Sequence, residues 1–110
     1  MLETCEDFND TLAKVMEQGE SRESADLSDL SQGTLLALIT RSEAAYLLKV
    51  QDPKKSLGHV VRLDASRPGL ATGYRGLRRI SPIEVGEQMR HGDSRTSPIV
   101  SIRILKGFFI

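Results

Sequence analysis

The sequence predicts a mainly β (β-rich α+β) fold, a small antiparallel, partly open barrel of four to five strands with an N-terminal helix. Three observations lead to this prediction. The apolar residues follow a helical period only near the N-terminus, and from residue 34 onward they follow a period of two. β-branched and aromatic residues then recur between turn signals. The chain has 110 residues, enough for one core, and strands with one apolar face must pack on another layer or curl closed.

The helix is predicted over residues 4–18 because its apolar residues fall on one face. These residues are Cys5, Phe8, Leu12, Val15 and Met16. Gly19 is a natural end for the helix. The polar segment 20–26 has no period and is predicted to be a linker, and 27–32 is predicted to form a short helical turn before Gly33.

Strands are predicted wherever short alternating runs lie between turn residues. These runs are 34–40, 44–51, 58–64 and 98–105, with a less regular one within 70–80. Short turns join the first three strands, which should therefore form an antiparallel meander, and the helix should cover an end or edge of the barrel. The predicted core consists of Leu36, Leu38, Tyr46, Leu48, Val61, Leu63, Val100, Ile102 and Ile104. His59 shares a face with Val61 and is predicted to be half-buried.

The two parts of the chain carry opposite charge, although the formal net charge is zero. Residues 1–31 hold nine acidic and two basic groups, and residues 32–110 hold thirteen basic and six acidic groups. We therefore divide the chain into an acidic N-terminal helix and linker (1–31) and a small β-barrel-like domain (32–110). Such asymmetry is typical of polyanion binding or of an acidic arm. The arm either packs through its apolar face or lies over the basic residues as a mimic of nucleic acid.

The segment 67–79 is the strongest candidate for a binding site. It contains three glycines, the aromatic residue Tyr74, and four arginines: Arg67, Arg75, Arg78 and Arg79. Guanidinium groups bind phosphate in a bidentate manner, and an aromatic ring stacks on an unpaired base. In the alternative interpretation the glycines form turns or a bulge, and the arginines form a solvated face or pair with the acidic arm.

No motif points to catalysis, a metal or a cofactor. His91, Asp93 and Ser94 have the residue types of a hydrolytic triad, but they lie within four positions and are predicted to form a turn. One cysteine and two distant histidines provide no metal-binding pair, and the glycine spacing matches no nucleotide-binding motif. There is no apolar run long enough to span a membrane and no signal peptide, so we expect a cytoplasmic protein.

The predicted function is therefore a non-enzymatic binding module in which the basic segment contacts RNA, DNA or another polyanion. The alternative is a protein-interaction or assembly domain that uses its apolar N-terminal helix and C-terminal tail. Two of the three phenylalanines lie in that tail, Phe108 and Phe109, followed by Ile110. An apolar terminus must fold back on the core or meet a partner or a second copy.

Overall fold

The computed structural model describes residues 5–64, 71–92 and 94–106, and within them the side chains of 10–62, 76–92 and 95–106. These residues form one helix, α1 (Cys5–Gln18), two short 3-10 turns, Leu27–Asp29 and Pro53–Lys55, and nine strands. The strands are β1 (Glu20–Arg22), β2 (Ser24–Ala25), β3 (Leu35–Thr40), β4 (Ala44–Asp52), β5 (Leu57–Asp64), β6 (Ala71–Arg79), β7 (Ile83–Glu84), β8 (Gln88–His91) and β9 (Ser94–Leu105). The predicted helix, the short helical turn and all five predicted strands are confirmed.

Seven strands form one antiparallel sheet, whose order is β1-β9-β3-β4-β5-β6, with β8 also paired to β9. The meander of the first three predicted strands is therefore confirmed, and β6 continues it. The long strand β9, the last in the chain, lies between β1 and β3. Strands from the two ends of the chain are therefore neighbours in the sheet. The short strands β2 and β7 pair with each other in a separate two-stranded sheet.

The sheet curves but does not close by a continuous ladder. An isolated bridge between Ile80 and His91 joins the end of β6 to β8. Two backbone hydrogen bonds flank this bridge, from Gly92 N to Arg79 O (2.9 Å) and from Ser81 N to Arg90 O (3.1 Å). The prediction of a mainly β, antiparallel fold is confirmed. The sheet is not a closed barrel, because within the described residues only an isolated bridge joins β6 to β8.

Both faces of the central strands are buried, each under a different layer. The face that we call inner carries the main core, which includes Leu36, Leu38, Tyr46, Leu48, Val60, Ile102 and Ile104. On the opposite, outer face the sheet packs against Val15 of α1 through Leu35, Ala37, Ala45, Leu47 and Val61. The helix therefore lies on a face of the sheet, and its predicted position at an end or edge is wrong. This double burial explains why β3 is apolar at almost every position.

Helix α1 ends where the chain turns back toward the sheet. The amide of Gly19 donates a hydrogen bond to Val15 O at 2.7 Å. A Cβ atom at Gly19 would collide with that same carbonyl oxygen and would lie 3.2 Å from Ile104 O. Glycine is therefore required here because the backbone of the helix end approaches β9 closely.

The prediction that Val100 belongs to the core is wrong. In β9 the register shifts opposite β3, so that Ile39 pairs with Ser101 and Thr40 pairs with Ile99. Val100 has no partner at this bulge and is 51% exposed, whereas Ile99 is buried. A β-bulge reverses the alternation of side chains on either side of it, and the period of two in the sequence does not show this. The side chain of Leu63, also predicted in the core, lies outside the described side chains.

The polar segment 20–26, predicted to be a linker, contains two short strands. β1 pairs with β9 in the register Glu20 to Ile104, and β2 pairs with β7 through Ala25 and Ile83. These strands are held by backbone hydrogen bonds rather than by an apolar face, so hydrophobic periodicity could not reveal them. β7 and β8 were also missed, because they have only two and four residues and each carries a single buried apolar side chain, Ile83 or Met89, too few to show a period of two.

Candidate nucleic-acid interface

The arginine-rich segment contributes the strand at one end of the main sheet. This strand, β6, is the last in the order of the main sheet and pairs with β5. Arg67 lies outside the described residues. The backbone of Tyr74 and Arg75 forms part of β6, but their side chains lie outside the described side chains. Arg78 and Arg79 are therefore the two predicted site residues whose surroundings can be compared.

β6 contains a wide irregularity at its glycines. Val60 pairs with Gly76 and Arg62 pairs with Thr72, which leaves residues 73–75 opposite the single residue Val61. The interpretation that the glycines serve a bulge is therefore supported by the strand register. Tyr74 lies at the centre of this bulge along the chain.

The structure does not bring Arg78 and Arg79 together. Arg78 pairs with Gly58, which in turn pairs with the inner-face residue Val50, so Arg78 lies on the inner face and is half-buried. A Cβ atom at Gly92 would lie 3.3 Å from Arg78 Nη1, so the guanidinium packs against the β8–β9 turn. Arg79 is exposed and points to the outer face. Successive residues of a strand alternate between faces, and this signal could have separated them at the sequence level.

The end of β6 that carries Arg79 instead lies beside the turn between β4 and β5, which carries two lysines. We call Lys54, Lys55 and Arg79 the basic end of the sheet. Ile80 N donates a hydrogen bond to Ser56 O at 2.8 Å, which joins the residue after Arg79 to the residue after Lys55. All three basic side chains are exposed. Sequence analysis missed the two lysines because they are distant from the arginines along the chain.

Next to the basic end, one row of residues crosses three strands on the outer face. Lys49 of β4 pairs with His59 of β5, and His59 pairs with Leu77 of β6. We call these three residues the outer row. His59 is exposed, which corrects the prediction that it is half-buried, and Leu77 is 47% exposed. Val61, two residues along β5, is buried with α1, so the row begins where the helix cover ends.

Acidic side chains come near the basic end without pairing with it. The turn Leu27–Asp29 packs against the turn Pro53–Lys55, and Asp29 is exposed. One ion pair within the described residues joins Arg22 Nε to Glu20 Oε1 at 3.3 Å in β1. Lys54, Lys55 and Arg79 are not part of it.

A second polar feature, which sequence analysis missed, is buried on the inner face. The rings of Tyr46 and His91 have centroids 6.0 Å apart and are tilted by 57°. His91 was predicted to lie in a turn, but it is the last residue of β8 and only 3% exposed. Burial lowers the pKa of His91. Burial also raises the pKa of Tyr46, and the positive charge of Arg62 partly offsets that rise.

A groove of about 380 Å³ lies between the β2–β7 sheet and β9. Its apolar lining includes Leu30, Ile83 and Ile104, and its charged lining includes side chains of both signs. These charged residues are Arg22, Lys106, Asp26, Asp29 and Glu84. Mixed charge makes this groove a poorer polyanion site than the basic end. In the described part of the chain, the groove included, no group of three His, Cys, Asp or Glu side chains could hold a metal ion.

No family model, curated protein or solved structure matches this chain. In the part of the chain that the structure describes, no helix is long and apolar enough to cross a membrane.

Proposed function

We propose that this chain is a non-enzymatic binding module whose basic end contacts RNA or DNA through its phosphates. One observation carries the proposal. Two chain segments that are far apart in sequence place Lys54, Lys55 and Arg79 at the same end of the sheet, tied by the hydrogen bond from Ile80 N to Ser56 O. Cations gathered in this way attract a polyanion, and an exposed guanidinium can bind a phosphate in a bidentate manner.

The curved sheet supports this function by holding the basic end in place. We infer that the sheet is a partly open barrel, since the bridge between Ile80 and His91 brings its two ends together. The bridge immediately follows Arg79, so the strand that carries this arginine is fixed on one side by β5 and at its end by β8. The lone cysteine agrees with a reducing compartment, and we propose that the module acts in the cytoplasm.

A salt titration tests the function directly. Binding of a fluorescent 12-nucleotide oligonucleotide is measured by anisotropy at several salt concentrations. The triple variant K54A/K55A/R79A should bind at least about tenfold more weakly at low salt, because each lost phosphate contact removes counterion release. It should also flatten the dependence of affinity on salt.

The matched control removes three exposed cationic side chains from other parts of the molecule. K14A/R41A/R62A loses the same charge but leaves the basic end intact, and all three residues are exposed. We expect it to keep most of the affinity. The proposal is wrong if the unmodified protein does not bind at low salt, or if both triple variants lose affinity equally.

The second candidate is a protein-interaction or assembly domain, which the exposed valines Val85 and Val100 favour. They are 38% and 51% exposed, and the hydrogen bond from Gly86 N to Ile99 O places them on adjoining segments. The apolar face of the N-terminal helix, which the sequence suggested as an interaction surface, packs on the sheet through Val15. Phe108, Phe109 and Ile110 lie outside the described residues. Assembly through valines should be nearly indifferent to salt in sedimentation velocity, in contrast to polyanion binding.

A further inference from the structure

We propose that the outer row receives unpaired bases of a single-stranded nucleic acid, with His59 and Leu77 as the contact surface for the bases. Lys49 and Arg79 then contact the phosphates on either side. This inference rests on the proposed function and specifies its ligand, because a polyanion site alone would not distinguish a single strand from a duplex.

The strand register supports this assignment. Lys49, His59 and Leu77 lie directly beside one another on three adjacent strands. Neighbouring strands are about 4.8 Å apart, so the row spans roughly 10 Å across the sheet. Leu57, which precedes His59 by two residues on the same face, pairs with Arg79. The row and the basic end therefore form one continuous surface.

The chemistry of the row differs from that of a solvated charged face. A histidine ring stacks on nucleic-acid bases, and an exposed leucine provides apolar area beside it. Leu77 is 47% exposed on a strand otherwise rich in arginine and glycine, so its side chain meets solvent where a polar residue would be expected. Lys49 and Arg79 provide positive charge next to this apolar centre.

The position of α1 leaves the row open. The helix packs on Leu35, Leu47 and Val61, and Val61 lies two residues beyond His59 on β5. An exposed sheet face with an aromatic ring and flanking cations fits a strand whose bases are unstacked. In a duplex the bases are stacked and paired with each other, so they cannot lie on the row.

The experiment compares binding of a fluorescent 12-nucleotide oligothymidine with binding of a 12-base-pair duplex, each over a series of salt concentrations. The protein variants are H59A/L77A, H59F, K49A and the matched control V85A/V100A, which removes exposed apolar side chains from another surface. Melting temperatures of all variants establish that each one folds.

We expect the unmodified protein to bind the single strand at least about tenfold more tightly than the duplex. H59A/L77A should lose roughly five- to a hundredfold in affinity for the single strand with an unchanged salt slope, because stacking releases no counterions. H59F should retain binding, since a phenylalanine ring also stacks. K49A should reduce the salt slope by about 0.7, the value for one phosphate contact on a single strand.

Two results would overturn the inference, and they differ in what they leave standing. If single strand and duplex bind equally and H59A/L77A has no effect, the row does not contact bases, but the polyanion function of the basic end stands. If neither nucleic acid binds at low salt, the proposed function fails together with the inference. Equal loss of binding in V85A/V100A and H59A/L77A would likewise contradict a specific role for the row.

Discussion

The outer face of the sheet has two halves that share strands but differ in cover. On β3 and the middle of β4, helix α1 buries Leu35 and Leu47. On the neighbouring end of β5 and β6, His59, Leu77 and Arg79 are exposed. The boundary falls within β5, where Val61 is buried and His59, two residues earlier on the same face, is exposed.

Under our proposal, one sheet face serves both folding and binding. Under the helix, apolar side chains contribute hydrophobic stabilisation, typically about 1.5–3 kcal/mol for a fully buried Leu or Val. Beyond the helix the same face carries cations and an imidazole, which contribute little to stability in water. Variants on the two halves should therefore separate stability from binding.

The largest effect should come from removing the helix cover itself. Deletion of residues 1–18 exposes the apolar residues of the outer face, including Leu35, Leu47 and Val61. We expect a much lower melting temperature or aggregation, because these side chains lose their partner surface. Thermal melting followed by circular dichroism checks this. A truncated domain that melts normally and binds polyanions more tightly would instead support the acidic arm as a competing mimic of nucleic acid.

A matched pair of leucines tests the two halves at single positions. Leu47→Ala, under the helix, should lower the free energy of unfolding by about 2–5 kcal/mol, as for a buried large-to-small change. Leu77→Ala, on the exposed half, should lower it by less than about 0.5 kcal/mol. Urea denaturation measures both. Similar losses at the two positions would show that the exposed half is covered in solution.

The buried histidine, His91, makes stability depend on pH. Burial lowers the pKa of His91 in the folded protein, whereas the unfolded chain titrates near its ordinary value of 6.5. Above that pH the histidine is neutral in both states. As the pH falls below 6.5 the unfolded state binds the proton first, so stability decreases by up to about 1.4 kcal/mol per pH unit until the folded pKa is reached.

Urea denaturation at pH 7.5, 6.5 and 5.5 measures this loss. His91→Gln should flatten the profile over this range, even if its stability at pH 7.5 is lower. An unmodified protein that is equally stable at all three pH values would contradict the buried position of His91.

The smallest effect concerns the bulge in β9. Val100→Ala should change the free energy of unfolding by less than about 0.5 kcal/mol, since its side chain is 51% exposed. Ile102→Ala, two residues further along, should cost about 2–5 kcal/mol because it is fully buried. Chemical denaturation of the two variants checks the register. A large loss in the valine variant would restore the simple alternation that the sequence predicted.

Strong local patterns made much of the fold predictable. The helical period of 4–18 and the alternating runs from residue 34 gave the helix and the five longest strands. The four short strands β1, β2, β7 and β8 were missed because each has only two to four residues, too few to show a period of two. The bulge at Val100 was missed because it changes the register without changing composition.

The candidate site was predictable only in part, for a physical reason. Proximity in sequence suggested that Arg78 and Arg79 act together, but a strand directs neighbouring side chains to opposite faces. Lys49 and His59 approach Leu77 only through pairing of three strands, and a single sequence does not contain that register. The exposure of His59 likewise depends on where the helix ends on the sheet.

The most direct test of the account is an NMR titration of the full chain with a 12-nucleotide oligothymidine at low salt. We expect the amide resonances of Lys49, Lys55, His59, Leu77 and Arg79 to shift in proportion to bound ligand. Resonances of α1 and β3 should stay in place, because the helix covers that half of the face. Shifts concentrated on α1 and β3, or around Arg90 and Arg95, or no shifts at all, would contradict a division of the outer face into a covered half and a binding half.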